Sequence, residues 1–240
     1  MRCILTFELP EAVFPSDSTR LLISFFKKSM EAYDIELFEK LFGKGQTKMK
    51  SYAYDVYLPI KGYEKGSFLL KQPFFKITFS SCSLEEFGLF FGAFANQKYQ
   101  PYHWQGTYQF TLKELKVLKS REIEDEQLMI DFISPLLVLD YDLETGYKHC
   151  FTPENVEFES ALRRVLQCQI DTLAPHLTLD GFQLIPIKTK QVMAQSYGLN
   201  LRSTRGLFYL SGSKELLQLL YDAGIGNSRG AGFGLFNIIQ

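Results

Sequence analysis

The run Gly224-Ile-Gly-Asn-Ser-Arg-Gly-Ala-Gly-Phe-Gly-Leu-Phe-Asn-Ile-Ile-Gln240 places five glycines ahead of a short apolar segment. Glycine adopts positive φ without steric cost and lets a backbone N–H approach a phosphate with no Cβ in the way. Arg229, inside the run, adds a guanidinium suited to bidentate phosphate pairing. Two readings of such a loop fail. A dinucleotide fingerprint needs a helix after the glycines, and a Walker loop needs a Lys-Ser/Thr pair. Here the glycines run into an apolar stretch that suits a closing strand over 232–239, so small nucleotide cofactors are disfavoured. A polymeric phosphate backbone such as RNA remains, as does a glycine turn that holds no ligand.

Outward from this loop, Ser213 caps a short helix through Tyr221, and strands fit 206–210 and 181–190. Thr152-Pro153-Glu154, with proline at the first helical position, opens a helix to about Leu173. An apolar strand spans 128–139, interrupted by Pro135. Residues 119–126 are almost without apolar content and read as a linker. Before it, Cys3, Leu5, Phe7 and Leu9 alternate as a strand. Ser16 or Asp17 then caps a helix whose stripe is Leu21, Leu22, Phe25, Phe26, Met30, Tyr33 and Leu37, ending near Gly43. Strands fit 51–58, broken by Pro59 and Gly62, and 74–79; Ser83-Leu-Glu-Glu86 is a capping box for a helix to about Asn96, and a last strand lies within 107–118. Each half thus has the order β-α-β-β-α-β. The expected class is α+β, two tandem ferredoxin-like, RNA-recognition-like domains: 1–119, and 127–240 with the glycine-rich loop.

The net charge of −1 excludes a uniformly basic protein, but the charge is segregated. Residues 40–76 hold eight lysines against Asp55 and Glu64, residues 181–240 hold six basic residues against two acids, and residues 121–160 hold eleven acids against Arg121 and Lys148. A basic face with an acidic back suits a nucleic-acid partner. Cys3, Cys82, Cys150 and Cys168 lack Cys-x-x-Cys spacing and read as free thiols of a reducing, cytoplasmic compartment. Neither a signal peptide nor a membrane span is expected, and no His/Cys or paired-carboxylate spacing points to a metal, so no metal or cofactor is expected.

Three segments carry a more specific signal: Arg202-Ser-Thr-Arg-Gly206-Leu-Phe-Tyr-Leu-Ser-Gly212, then Leu216-Leu-Gln-Leu-Leu220, then Gly224 to Gly234. Together they resemble the carboxyl-terminal signature of the CRISPR-associated repeat-processing endoribonucleases, the Cas-six family of repeat-associated RNA-binding proteins. Phe132-Ile-Ser-Pro-Leu136 is similar to the strand that opens the family's second half. The resemblance implies metal-independent cleavage of precursor CRISPR RNA within its repeats. A ribose 2′-hydroxyl attacks the adjacent phosphate, leaving a cyclic phosphate and a 5′-hydroxyl. It also implies CRISPR repeat RNA as partner, precursor and mature guide, with a CRISPR interference complex receiving the product, and a monomer or homodimer.

Such chemistry asks for a base, a cation beside the phosphorane and an acid for the departing oxygen. The family's tyrosine on the first helix and lysine ahead of the second strand have counterparts in Tyr33 and Lys50, with Lys48 and Lys44 nearby. The histidine that many relatives carry shortly after the first helix has none, since residues 31–52 contain no imidazole. Tyr33 is read either as a packed aromatic or as the residue that orients the scissile phosphate. Lys48 and Lys50 fall on one side ahead of the strand, and Lys50 is the preferred transition-state cation. Gly224, Gly226, Asn227, Ser228, Arg229, Gly230, Gly232 and Gly234, with Arg202, Arg205, Lys188 and Lys190, are the expected RNA contacts. His103, His149 and His176 receive no catalytic role. Two other readings stay open. One is an inert repeat-RNA-binding relative or structural subunit of an interference complex. The other is a tandem ferredoxin-like protein for a small ligand or another protein, which would bind no RNA in a salt-dependent way.

Overall fold

A computed structural model describes residues 1–43, 49–141 and 147–239. In the first half the elements are β1 (Arg2–Glu8), β2 (Val13–Pro15), α1 (Thr19–Tyr33), α2 (Ile35–Phe42), β3 (Tyr52–Tyr57), β4 (Ile60–Glu64), β5 (Ser67–Leu70), β6 (Phe74–Ser81), α3 (Leu84–Asn96), β7 (Pro101–Trp104) and β8 (Tyr108–Val117). In the second they are β9 (Gln127–Phe132), β10 (Val138–Tyr141), β11 (Lys148–Phe151), α4 (Phe158–Leu173), β12 (Gln183–Ser196), β13 (Leu199–Ser211), α5 (Lys214–Ala223) and β14 (Phe236–Ile238), with a 3-10 turn at Arg229–Ala231. Two compact units result. One comprises Met1–Lys48, Val56–Lys119 and Gln195–Leu199; the other comprises Met49–Asp55, Ser120–Ala194 and Asn200–Gln240.

The five-stranded sheet has the order β3-β6-β1-β8-β7, and the four-stranded sheet has the order β12-β13-β9-β14. In the four-stranded sheet, taken in chain order, the second strand lies beside the third, then the first, then the fourth; β3, β6, β1 and β8 repeat that order in the other sheet, with β7 added beyond β8, and this is the ferredoxin-like arrangement. β1 runs antiparallel to β6 and β8, and β9 runs antiparallel to β13 and β14.

The alternation of β1 decides which face is covered. Cys3, Leu5 and Phe7 are fully buried, as are Phe75, Ile77 and Phe79 of β6. They meet the stripe Leu21, Leu22, Phe25, Phe26 and Met30 of α1 and Phe90 and Phe94 of α3. The core of this unit is aromatic: Phe7 stacks on Phe75 at 4.6 Å and meets Phe25 edge-on at 5.3 Å. Burial pushes the Cys3 thiol up to about 12, which makes it an inert core residue. In the second unit the core is aliphatic, built from Ile130, Leu166, Ile170, Leu216, Leu217 and Leu220 with Phe208 and Phe236.

The serine caps at 83 and 213 form as read, Ser83 accepting from the Glu86 N–H and Ser213 from the Leu216 N–H, each at 3.2 Å, whereas α1 is preceded by Ser18, which makes no side-chain cap bond, and is not capped by Ser16 or Asp17. Several local expectations change, among them the closing strand read over 232–239, which spans only Phe236–Ile238. The first helix breaks at Asp34, whose backbone is extended, giving α1 and α2. Helix α4 starts at Phe158, because Asn155 closes a turn on Thr152, its Oδ1 accepting from the Thr152 N–H at 2.8 Å. The segment around Pro59 and Gly62 forms β4, paired with β5 and through it with β2. Strands β12 and β13 run far beyond 181–190 and 206–210, joined by Tyr197-Gly198 with φ of 54° and 83°, the signs of a type I′ turn. The segment read as a linker holds Ile123, which is 9% exposed and donates its N–H to Gln218 Oε1.

Candidate nucleic-acid interface

The glycine loop leaves the C-terminal end of α5 and is tied down by its own backbone. The Gly224 N–H donates to Leu220 O, Ile225 N–H to Gly234 O, Asn227 N–H to Leu137 O and Gly234 N–H to Pro135 O, all between 2.8 and 2.9 Å. Asn227 Oδ1 accepts from the Leu139 N–H at 2.7 Å, so this candidate contact pins the loop to β10. Gly224, Gly226, Gly232 and Gly234 all have positive φ. Crowding sets their spacing as much as φ does. A Cβ on Gly224 would lie 2.9 Å from Ala53 Cβ, one on Gly226 2.5 Å from Leu137 O, and one on Gly232 3.2 Å from the Tyr54 ring.

The apex, residues 227–232, is half-exposed or exposed apart from Arg229. Ser228 is left-handed (φ 54°, ψ 30°) and is followed by the right-handed turn Arg229–Ala231. A left-right alternation of this kind turns successive N–H groups to one side, as in an anion nest. Among the described residues, the N–H groups of Ser228 and Gly230 have no acceptor.

Arg229, expected to contact phosphate, is turned inward. It is 5% exposed, its Nη1 donates to Ala223 O at 2.7 Å and its Nη2 to Lys50 O at 3.0 Å. The guanidinium therefore bridges the end of α5 and the strand-leading segment at Lys50. This strut places Lys50 at the loop: a Cβ on Gly230 would lie 3.2 Å from Lys50 Cγ and 3.3 Å from the Tyr52 ring. Tyr52 and Tyr54, 3% and 1% exposed, floor the loop. Their alternation in the sequence signals only a strand, so their packing under the glycines was not legible there.

Arg202 is exposed on β13, and Lys188 and Lys190 are exposed on the edge strand β12. Gly206, with φ 127°, lets the two strands close up, since a Cβ there would run into Lys188 O and lie 2.9 Å from Thr189 Cα. Arg205, next to Gly206, lies 4.0 Å from Asp55, which is 8% exposed. Tyr33 belongs to the first unit, where it is the last residue of α1 and 46% exposed, its ring lying across Gly92 of α3. Lys48, and Lys44 with it, lies outside the described residues. Among the described residues no group of three or more His, Cys, Asp or Glu side chains gathers as for a metal ion, and no helix is long and apolar enough to cross a membrane.

Residues 113–238, over half of the chain, match the family model described as CRISPR associated protein Cas6, C-terminal. The chain belongs to the Cas6 family. A Pyrococcus furiosus relative named as a CRISPR-associated endoribonuclease-like protein Cas6 is 29% identical over 137 residues. That match spans 55% of this chain and 55% of the relative, about half the length of either. The product of a Cas6-related gene from Pyrococcus furiosus superposes with a TM-score of 0.83 at 20% identity, over 100% of this chain and 98% of that one. A RAMP protein described as binding different RNA substrates superposes at 0.82 and 16% identity over 100% of both chains. At these identities the likeness is one of fold. The Cas6 match includes the glycine loop, Arg202, Arg205, Lys188 and Lys190, and lies outside Tyr33, Lys48 and Lys50.

Proposed function

We propose that this Cas6 chain binds CRISPR repeat RNA and cuts precursor CRISPR RNA within its repeats, by metal-independent attack of a 2′-hydroxyl on the neighbouring phosphate. The observation that carries this reading is the stem of Lys50 laid along Gly230, beside an apex whose Ser228 and Gly230 N–H groups have no acceptor among the described residues. A phosphate held at the apex has backbone donors on one side and an ammonium within reach on the other. Both interactions strengthen as negative charge builds on the phosphorane. Arg202, Arg205, Lys188 and Lys190 then hold the flanking phosphates and set the register of the repeat. Tyr33 and Lys48 keep only the roles that the family resemblance implies for them.

The scheme is tested with a labelled CRISPR repeat in EDTA, where a single cut with a cyclic phosphate end is expected, abolished by 2′-deoxy substitution at that nucleotide. Lys50→Ala should lower the cleavage rate about 100-fold, the size of effect typical for loss of one oxyanion-stabilising group. Its affinity for the uncut repeat should stay close to that of the parent. Equal losses in rate and affinity would demote Lys50 to a binding residue. A second reading, repeat-RNA binding without cleavage, is favoured by the absence of any histidine between residues 31 and 52. Tight binding with no product decides for it, and no binding to any repeat sinks both.

A further inference from the structure

The sheet of the first unit has a second face that the mechanism above leaves unused. In register, Glu8 pairs with Phe74 and Thr6 with Lys76. Their neighbours Phe7, Phe75 and Ile77 are fully buried in the core. Thr6, Glu8, Phe74 and Lys76 therefore share the opposite face. Tyr57, the last residue of β3, is 54% exposed, and its ring lies 6.4 Å from that of half-exposed Phe74 at an interplanar angle of 30°. Lys76 Nζ stands 5.9 Å from the Phe74 centroid. Beside them opens a recess of about 620 Å³ lined by Thr6, Glu8, Gln72, Pro73, Phe74 and Lys113.

We propose that Tyr57 and Phe74 form a stacking subsite for an unpaired base of single-stranded RNA, with Lys76 on its phosphate. Charge argues for this occupant. Glu8 is paired with Lys113 at 2.9 Å, whereas Lys76 has no carboxylate partner among the described residues. The segment from Tyr57 to Lys76 holds four lysines against Glu64 alone, and Lys61 and Lys71 are exposed. Two tilted rings with an ammonium 5.9 Å from one ring centroid suit a base and its phosphate, since every base offers a π-face and the backbone offers the anion. In a duplex the bases are already stacked on one another, so the ligand is a single strand or an unpaired flank. The recess lies within the ~300–1,000 Å³ range of small-ligand sites, room enough for a nucleotide beside the rings. The inference rests on the RNA-binding reading, but uses none of the residues assigned to the glycine loop.

The test uses the full chain and a uridine decamer carrying one 2-aminopurine, whose fluorescence is quenched on stacking. The unsubstituted chain should bind it with quenching. Tyr57→Ala and Phe74→Ala together should weaken binding roughly 5- to 100-fold and remove the quench. Tyr57→Phe, which keeps the ring, should behave as the parent, and Lys76→Gln should lower the salt slope by about 0.7. Exposed Tyr57→Ala alone, checked for an unchanged urea midpoint, should show part of the loss. Binding with unaltered affinity and quench in both alanine variants overturns the subsite while the RNA reading stands. Loss of self-association in Tyr57→Ala, with RNA affinity intact, assigns the face to a second copy and overturns it as well. Absence of any RNA binding by the unsubstituted chain removes the RNA reading and the subsite together.

Discussion

Gly234→Ala is expected to lower the unfolding free energy by about 4 kcal/mol, near the upper end for a point substitution. Two costs combine. The residue has φ +74°, a conformation that costs an L-alanine about 1–2 kcal/mol. Its Cβ would also run into the carbonyl oxygen of Ile225, with Ile225 C at 2.9 Å and N at 3.1 Å. These are backbone atoms held in place, because the Ile225 N–H donates to Gly234 O and the Gly234 N–H to Pro135 O, each at 2.9 Å. Relief of the clash therefore breaks hydrogen bonds at a position that is already buried. Gly66 is the matched control: its φ is +80° but nothing lies within 4 Å of its Cβ, so Gly66→Ala should cost about 1 kcal/mol. Urea midpoints at constant m-value compare the two. Equal losses would mean that φ alone, and not packing, sets the glycine spacing.

Arg229→Leu is expected to cost about 3 kcal/mol. The substitution removes two hydrogen bonds from a charged donor, each worth about 1.5–3 kcal/mol, and recovers part of that through apolar burial. One of the accepting carbonyls, Ala223 O, lies at the C-terminal end of α5, where a cation is favoured by the helix dipole. Arg229→Lys should recover little, because one ammonium cannot span Ala223 O and Lys50 O as the planar fork does. The salt dependence of RNA binding separates this strut from a phosphate ligand. Arg202→Ala should reduce the slope by about 0.7, whereas Arg229→Lys, measured where it is folded, should leave it unchanged. A reduced slope with undiminished stability would return Arg229 to the phosphate.

Much of the fold lies in local patterns. The alternation at Cys3, Leu5 and Phe7, the stripe from Leu21 to Met30 and the serines at 83 and 213 each state their element within a few residues, and the doubled order follows from reading them in turn. The misjudged elements are those whose partner is remote or whose pattern is polar. Strand β12 exposes Ile185, Ile187, Lys188, Lys190 and Met193, so no periodicity marks its length, and its pairing with β13 does. Helix α4 lost its first turn to the Asn155 side chain, a competitor that proline statistics do not weigh.

The glycine loop divides in the same way. From the sequence come the positions that need positive φ and the segments that resemble the family to which the chain belongs. What only the tertiary structure decided is what surrounds each glycine: Ala53, Leu137, Tyr52 and Tyr54 against the loop, Lys50 along Gly230, and Arg229 turned inward onto the Lys50 carbonyl 179 residues away. A residue's φ preference is written in its own side chain. Whether a guanidinium faces solvent or a carbonyl is settled by contacts between segments that no spacing in the chain records.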